Sequence, residues 1–336
     1  MNSSIVITTI NKPNSSVKYI SRKIKKKKCN LIIIGDQKSP KNYRIKNGNF
    51  LNLKKQRKLP FHLSKICKKN SYTRKNIGYL LAAYKGSDII IETDDDNIPN
   101  KDFFKNIYLT KKTKEVSGNN WINIYMPFLK KKKIVWPRGL PLIKIFSKPK
   151  FKKKNISSKF YLQQGVCEGN PDVDAIFRLT NKNIDIRFKK NYSFSLGKAI
   201  SPLNSQNTIW FKKIFPLLYL PATCTMRATD IWRGLIALNI LKKNGLKVLI
   251  FGTTMFQKRN FHDINNDFNQ EIEVYRRGDE IIDILKKLKL KKGEKNFSYN
   301  LLLTYKNLIK KNFFHKSEIL YLNKWLRDLD FIKKNS

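Results

Sequence analysis

Short runs of β-branched residues that end in polar positions constrain the fold of this chain most strongly. Three of them stand in the first third, at 4–10 (SIVITTI), 29–36 (CNLIIIGD) and 88–96 (DIIIETDDD). Continuous apolar runs of this kind are typical of parallel strands that are covered on both faces. Residues 72–86 (YTRKNIGYLLAAYKG) place apolar side chains at helical spacing and close with Gly86 as a C-terminal cap. The order of these elements predicts a doubly wound α/β sheet.

The middle of the chain is irregular, and a well-marked helix follows it. Residues 117–230 read as short strands and loops that Pro, Gly and Asn interrupt. Residues 230–245 (DIWRGLIALNILKKNG) have the apolar spacing of a helix, which Asp230 would cap and Gly245 would end. The run at 246–254 (LKVLIFGTT) then predicts another strand.

The last part of the chain is basic, and its pattern is helical. Helices are expected near 270–291, 298–311 and 316–333. The sequence shows no internal repeat and no linker rich in Gly and Ser. The simplest division is therefore one α/β domain at 1–268 with a basic helical C-terminal extension at 269–336.

The charge of the chain is strongly one-sided. Its 336 residues include 70 Lys and Arg against 24 Asp and Glu, which gives a formal net charge of +46. Such an excess suggests an anionic partner, which can be a nucleic acid, an acidic membrane face or a phosphorylated substrate. A compositional bias towards Lys, Asn and Ile, with lysine filling solvated surface, explains the same numbers. Both readings stay open.

Cysteine usage and the N-terminus suggest a protein of the cytoplasm. The four cysteines form no CxxC pair, so neither a zinc site nor a disulfide scaffold is indicated. The N-terminus lacks the basic segment of a signal peptide. No apolar stretch reaches the roughly 18 residues of a transmembrane helix. We therefore expect a cytoplasmic protein, with a peripheral position at the inner membrane face as a further hypothesis.

Four scarce acids crowd the end of the third predicted strand, at Glu92, Asp94, Asp95 and Asp96. Ligands of open α/β sheets bind at the carboxyl ends of the strands. Alternate strand residues face the same side, so Asp94 and Asp96 would lie together and repel each other unless a cation joins them. Carboxylate oxygens suit Mg²⁺ or Mn²⁺, which keep positions free for water and phosphate. The alternative is a polar turn in which one acid caps a helix that begins within NIPNKDFFKNI.

The segment that ends in the Asp triplet resembles a known family. The segment TRKNIGYLLAAYKGSDIIIETDDDN is similar to the centre of a GT-A glycosyltransferase, and within that fold to the STELLO glycosyltransferase-like family. A weaker likeness links it to the reversibly glycosylated polypeptides, which are UDP-arabinopyranose mutases. The resemblance covers residues from about 5 to 275 and includes further stretches at 135–142 (VWPRGLPL), 169–180 (GNPDVDAIFRLT), 201–234 and 257–263 (QKRNFHD).

The resemblance implies a GT-A-like mixed sheet flanked by helices, and a compact form without the membrane anchor of the plant relatives. The family's Asp motif falls on Asp94, Asp95 and Asp96, which implies binding of a nucleotide-sugar diphosphate and of Mn²⁺ or Mg²⁺. Asp94 and Asp96 are the preferred metal ligands. Arg74 and Lys75, at the start of the preceding helix, are candidates to meet phosphate or base, although both residue types also suit a solvated helix start.

The remaining carboxylates are candidates for chemistry at the sugar. Asp172 and Asp174, two residues apart and before a predicted apolar strand, are placed on one face to contact the donor sugar or acceptor hydroxyls. A tight Asn-Pro-Asp turn is the plainer reading. Arg178 is a candidate partner for one of them. Asp230 is the candidate general base of an inverting transfer, and a plain helix cap otherwise.

Five further residues complete the candidate set. His262 stands where GT-A enzymes often supply a late histidine to the metal, and a surface histidine is the alternative. Trp136 and Arg138 are candidates to form the floor of a sugar or donor site, or else a core tryptophan with a structural arginine. Arg227 and Arg233, which flank Asp230, are candidates to hold a phosphate.

The combined reading is a metal-dependent glycosyltransferase. It would move a sugar from a UDP- or GDP-linked donor to a hydroxyl of a glycan or a lipid-linked acceptor. The expected settings are surface-glycan synthesis and peripheral contact with an anionic membrane. Three other functions stay open: a nucleotide-sugar mutase or self-glycosylating protein, a non-catalytic scaffold of a glycan-synthesis complex, and a nucleic-acid binder. The last is disfavoured because the lysine runs are short and carry no binding motif.

Overall fold

The computed structural model describes residues 1–25, 27–104, 107–130, 133–260 and 263–335. Within these ranges the helices are α1 Ser15–Ile24, α2 Leu53–Arg57, α3 His62–Ile66, α4 Lys75–Tyr84, α5 Ala175–Thr180, α6 Met226–Lys243, α7 Ile264–Lys287, α8 Phe297–Lys310 and α9 Glu318–Lys334. The strands are β1 Ser3–Thr9, β2 Cys29–Gly35, β3 Asn49–Leu51, β4 Ile89–Thr93, β5 Asn97–Pro99, β6 Thr110–Glu115, β7 Ile156–Lys159, β8 Leu162–Gly169, β9 Ser193–Ser195, β10 Asn207–Phe211 and β11 Val248–Gln257.

The described strands form one mixed sheet. Their order is β3-β2-β1-β4-β10-β8-β11-β9-β6-β7, and β5 pairs with β11 beside this path. Strands β3, β2, β1 and β4 are parallel, as the doubly wound pattern predicts. Strand β10 lies antiparallel between β4 and β8, which makes the sheet mixed. The predicted α/β fold with a GT-A-like mixed sheet and C-terminal helices is confirmed.

The first half of the sheet follows from its sequence pattern. The central part of β1 is fully buried, and helix α4 packs closely against this strand. A Cβ atom added at Gly78 of α4 would stand 2.5 Å from Val6 Cγ1, so a side chain at this position would push the helix off the sheet. Beyond the helix, Gly86 adopts a φ of +72°, which confirms its predicted place at the helix end.

Two local predictions and one alternative reading were wrong. Helix α6 begins at Met226, so Asp230 lies within its second turn and does not cap it. The segment after Asp174 is the short helix α5, because the Asp174 side chain accepts the Phe177 N–H and caps a helical turn there. After the Asp triplet the chain forms strand β5, which pairs with β11, where a helix start was the alternative.

The C-terminal helices pack against the α/β body through buried acids. Glu318 of α9 accepts hydrogen bonds from Tyr219 Oη, the Ala222 N–H and Thr223 Oγ1 at 2.5–3.0 Å. Asp328 of the same helix accepts the N–H groups at the start of α3. The division at residue 268 stays a prediction, and that position lies inside α7. In the described ranges, none of the helices is long and apolar enough to cross a bilayer.

We expect Glu318→Ala to lower the free energy of unfolding by about 2–4 kcal/mol, because it leaves several buried donors without an acceptor. Urea denaturation followed by circular dichroism measures the change. Glu294→Ala is the matched control, since Glu294 is exposed and pairs only with Lys213 at the surface. Equal small losses in the two variants would show that Glu318 does not anchor α9.

Candidate active site at the strand ends

A cleft of about 510 Å³ opens at the carboxyl ends of β1, β2 and β4. Residues that follow each of these strands line it, together with the start of α6 and the chain after β11. Six of the chain's 24 acids reach it among the described residues: Asp36, Asp94, Asp95, Asp96, Asp172 and Asp230. The Asp triplet at the end of the third predicted strand is thus joined in the cleft by three acids from other parts of the chain.

Glu92, the first acid of the crowded run, does not line the cleft. It is buried and accepts hydrogen bonds from Arg233, at 2.8 Å on each oxygen, and from Trp210 Nε1. The proposed role of Arg233 in holding a phosphate is therefore wrong, because its guanidinium is buried and engaged by Glu92. This structural pair lies deeper along β4, before the strand end that carries the acids of the cleft.

Asp95 has its hydrogen-bonding capacity filled by the protein. Its carboxylate accepts from Thr9 Oγ1 at 2.5 Å, from Asn11 Nδ2 at 3.0 Å and from Asn260 Nδ2 at 3.2 Å. Its carbonyl accepts from the side chain of Asn14, the N-terminal cap of α1. These contacts fix the loops after β1 and β11 to the Asp triplet, so Asp95 positions the cleft wall.

Asp96 carries an unsatisfied oxygen. Its Oδ2 accepts from Gln257 Nε2 at 3.2 Å and from the Asn260 N–H at 3.4 Å, whereas its buried Oδ1 has no hydrogen-bond partner among the described residues. Burial, followed by the negative charge of Asp94, raises the pKa of Asp96 to about 6. A buried carboxylate in this condition favours a proton or a cation beside it.

Asp94 is the partly open member of the triplet, with 30% of its side chain exposed. Its Oδ1 accepts from Lys75 Nζ and from Tyr72 Oη, each at 2.9 Å. Lys75 is fully buried and also donates to Tyr72 Oη at 2.7 Å. The lysine thus holds one oxygen of Asp94 and places a fixed positive charge at the cleft.

Arg74 lines the cleft but its guanidinium is bonded to the chain. It donates to Gln56 Oε1 and to the carbonyls of Cys67 and Lys68. Its main visible role is to fix the loop before α4.

The carboxylates fit a divalent cation through Asp94 and Asp96. The unsatisfied Oδ1 of Asp96 and the neighbouring carboxylate of Asp94 are oxygen donors of the kind that Mg²⁺ and Mn²⁺ prefer. Within the described ranges, no group of three His, Cys, Asp or Glu side chains is arranged to hold a metal ion. His262, the third predicted metal ligand, lies outside them.

A second group of charges lines the same cleft. Arg138 donates to both oxygens of Asp172, at 2.9 and 2.8 Å, and its Nη2 reaches Asp230 at 3.0 Å. Burial alone would raise the pKa of Asp172, but Arg138 and then Arg227 outweigh it and hold that pKa well below its usual value. Asp230 also accepts from the Ser205 N–H and Oγ. Both carboxylates are thereby oriented towards the cleft.

Asp174 does not join this group. It is buried outside the cleft, where it accepts the Phe177 N–H at 2.8 Å and Trp136 Nε1 at 2.6 Å. Trp136 packs edge-on against Phe177, as a core residue does. Arg178 donates to the side chain of Asn170 and the carbonyl of Pro171, and the structure shows no hydrogen bond from it to Asp172 or Asp174.

Arg259 is a cleft residue that sequence reasoning missed. Only 9% of its side chain is exposed, its Nε has no hydrogen-bond partner in the part of the chain that the structure describes, and its Nη2 lies 3.7 Å from Asp172 Oδ1. Burial and the nearby charge of Arg227 lower the pKa of Arg259. Arg227 itself is engaged by Glu271 at 2.6 Å. Arg259 belongs to the stretch QKRNFHD, in which the sequence indicated only His262 as a site residue.

A mixed sheet that gathers strand-end carboxylates, with helices on its faces, defines a GT-A-like glycosyltransferase fold. The family described as STELLO glycosyltransferases matches residues 227–335. Two proteins of Arabidopsis thaliana, "Probable glycosyltransferase STELLO1" and "Probable glycosyltransferase STELLO2", are 26% and 25% identical to this chain. Each alignment covers 97% of this chain and 44% of the relative. The resemblance to the STELLO family is confirmed, and the chain spans less than half the length of these relatives.

Replacing Asp174 should change how stability depends on pH. Burial raises the pKa of Asp174 to about 6. An unfolded aspartate ionises near pH 4, so the native state holds an extra proton between about pH 4 and 6. The residue's contribution to stability is full below pH 4 and is lost as the pH rises through 6.

In Asp174→Asn this pH-dependent contribution is absent. We expect the stability of the wild type relative to the variant to fall by on the order of 2 kcal/mol between pH 4 and 7. Urea denaturation at each pH measures it. Asp185→Asn, at an exposed position, is the matched control. A difference as flat as that of the control would contradict the prediction.

Proposed function

We propose that this chain is a metal-dependent glycosyltransferase that moves a sugar from a nucleoside-diphosphate sugar to a hydroxyl acceptor. The observation that carries the proposal is the unsatisfied Oδ1 of Asp96 beside Asp94 at the end of β4. The names of the two relatives, both probable glycosyltransferases, agree with the transfer of a sugar. UDP- or GDP-linked donors and glycan or lipid-linked acceptors, as in surface-glycan synthesis, are the substrate classes we propose.

The donor's diphosphate would lie between the Asp triplet and Arg259. Asp94 and Asp96 would hold Mn²⁺ or Mg²⁺, which when bound supplies positive charge for the departing nucleoside diphosphate. Arg259, buried and without a hydrogen bond from its Nε, offers a charge-assisted donor for an anionic oxygen. Lys75 adds a fixed charge beside Asp94.

The acceptor would lie beside Asp230 in the cleft. In an inverting transfer, the acceptor oxygen bonds to the anomeric carbon while the bond from that carbon to the donor phosphate breaks, and the electron pair leaves with the phosphate. The acceptor's proton passes to a carboxylate, for which Asp230 is our candidate. Arg138 and Ser205 hold its carboxylate in place. Asp172, kept ionised by Arg138, is suited to accept hydrogen bonds from sugar hydroxyls.

Nucleotide binding should depend on both metal and the triplet. We expect UDP or GDP to bind in the presence of Mn²⁺, and Asp94→Asn/Asp96→Asn to weaken this binding at least about ten-fold because two anionic metal ligands are lost. Isothermal titration calorimetry with and without Mn²⁺ measures the affinities. Asp185→Asn is the control, since it removes one exposed acid far from the triplet in sequence.

Binding of neither nucleotide to the wild-type protein would contradict the proposed activity. The scaffold reading would then be favoured. Nucleotide binding with ring isomerisation of the donor and no transfer to an acceptor would instead indicate a mutase.

Arg259→Met should weaken donor-nucleotide binding by about ten-fold or more, since a charge-assisted hydrogen bond contributes roughly 1.5–3 kcal/mol. Binding of Mn²⁺ alone should persist, and Arg259→Lys should restore part of the nucleotide affinity. Calorimetry measures both ligands. Arg187→Met is the control, because Arg187 is about half exposed and pairs with Asp185 at the surface. Unchanged affinity in Arg259→Met would remove Arg259 from the donor site.

A further inference from the structure

Large apolar side chains are exposed on one basic loop. Ile143 is 78% exposed, Phe146 is 62% exposed and Ile134 is 49% exposed. The short helical turn Leu142–Lys144 presents the first of them. Apolar side chains that project singly are common on protein surfaces, but three on one loop call for a partner.

The backbone of this loop is fixed. Asn123 Nδ2 donates to the carbonyls of Val135 and Ile145, at 2.8 Å each, and the Asn123 N–H donates to the carbonyl of Ser147 at 2.8 Å. One amide thus holds the two arms of the loop together. Ile134 and Phe146 are each adjacent in sequence to a residue whose carbonyl is bonded to Asn123. The two arms of the loop, with these exposed side chains, are therefore held side by side.

Lysines surround these apolar side chains. Between residues 130 and 154, ten of 25 residues are lysine and none is acidic. Lys133, Lys148 and Lys150 are exposed and lie within four residues of Ile134 or Phe146 in the sequence. Ile134 and Lys133 also line a hollow of about 320 Å³, which Lys182 borders from the segment after α5. The surface therefore combines protruding apolar groups with a local excess of positive charge.

We propose that Ile134, Ile143 and Phe146, together with Lys133, Lys148 and Lys150, form a docking surface for an anionic lipid bilayer. The apolar tips enter the boundary between headgroups and acyl chains, and the lysines contact lipid phosphates. Charge complementarity identifies this occupant. A nucleic acid would match the lysines but would leave three projecting apolar side chains without a favourable environment.

The same loop enters the cleft. Arg138, which orients Asp172 and Asp230, lies between Ile134 and Ile143 in sequence and is buried. Docking would bring this part of the cleft towards the lipid surface, where a lipid-linked acceptor would be found. That consequence rests on the proposed function, whereas the docking itself does not.

Co-sedimentation of the full chain with lipid vesicles tests the surface. We expect binding to phosphatidylcholine vesicles that contain about 30% phosphatidylserine, no binding to pure phosphatidylcholine, and weakening as salt shortens the screening length. Ile143→Ser/Phe146→Ser should weaken binding at least about ten-fold, because the inserted apolar area is lost. Tyr299→Ser/Leu320→Ser is the matched control, as both residues are similarly exposed on the C-terminal helices.

The charge contribution has its own matched pair. Lys148→Glu/Lys150→Glu and Lys54→Glu/Lys55→Glu change the net charge equally, but only the first pair lies on the proposed surface. We expect the first pair to weaken binding at least about ten-fold more than the second. Equal loss in both would mean that overall charge attracts the protein, which would overturn the proposed surface.

A tryptophan reporter tests insertion directly. The five native tryptophans are buried, so Phe146→Trp adds an exposed emitter. Its emission should shift to shorter wavelength on addition of the anionic vesicles. No shift, or undiminished binding of Ile143→Ser/Phe146→Ser, would overturn the proposal. Nucleotide titration of these variants should match wild type, so failure of docking and failure of the proposed activity are distinguishable.

Discussion

Repulsion among carboxylates in one cleft is the constraint on which the rest of the site depends. Basic side chains compensate some of these carboxylates and leave others less compensated. Lys75 binds one oxygen of Asp94, and Arg138 lies between Asp172 and Asp230, so these acids are compensated by the chain itself. Asp96 keeps a buried oxygen without a partner. The uneven compensation leaves the unsatisfied oxygen of Asp96, beside Asp94, as the position in the cleft where a cation is most favoured.

The buried ion pair of Glu92 and Arg233 explains how the site keeps its shape. Glu92 and Arg233 are both hidden from water, and replacing either alone would strand a charge in the core. Because Glu92 belongs to β4 and Arg233 to α6, the pair fixes the strand that ends in the Asp triplet against the helix that carries Asp230. The Asp triplet and Asp230 are therefore linked through the core.

The sequence predicted what depends on local pattern and missed what depends on distant pairing. The runs that became β1, β2 and β4, and the helix before the Asp triplet, carry their own periodicity. The start of α6 carries no such periodicity. Its first four residues, 226–229, precede the apolar spacing from which the helix was predicted. Asp174 resembles Asp172 in the sequence, yet a helix cap and Trp136 turn it away. No local pattern indicates that Arg259 lies near Asp172.

The net charge of +46 and the chemistry of the cleft are separate properties. Among the described residues that line it, the six acids face five basic side chains, Lys38, Arg74, Arg138, Arg227 and Arg259. The cleft is close to balanced, so the excess charge lies on the remaining surface. A bound cation would tip the balance towards anionic ligands, as the proposed donor requires. The segment at 130–154 contains ten lysines and no acid, and although Glu115 pairs with its Lys152, its exposed lysines contribute to the excess positive charge outside the cleft.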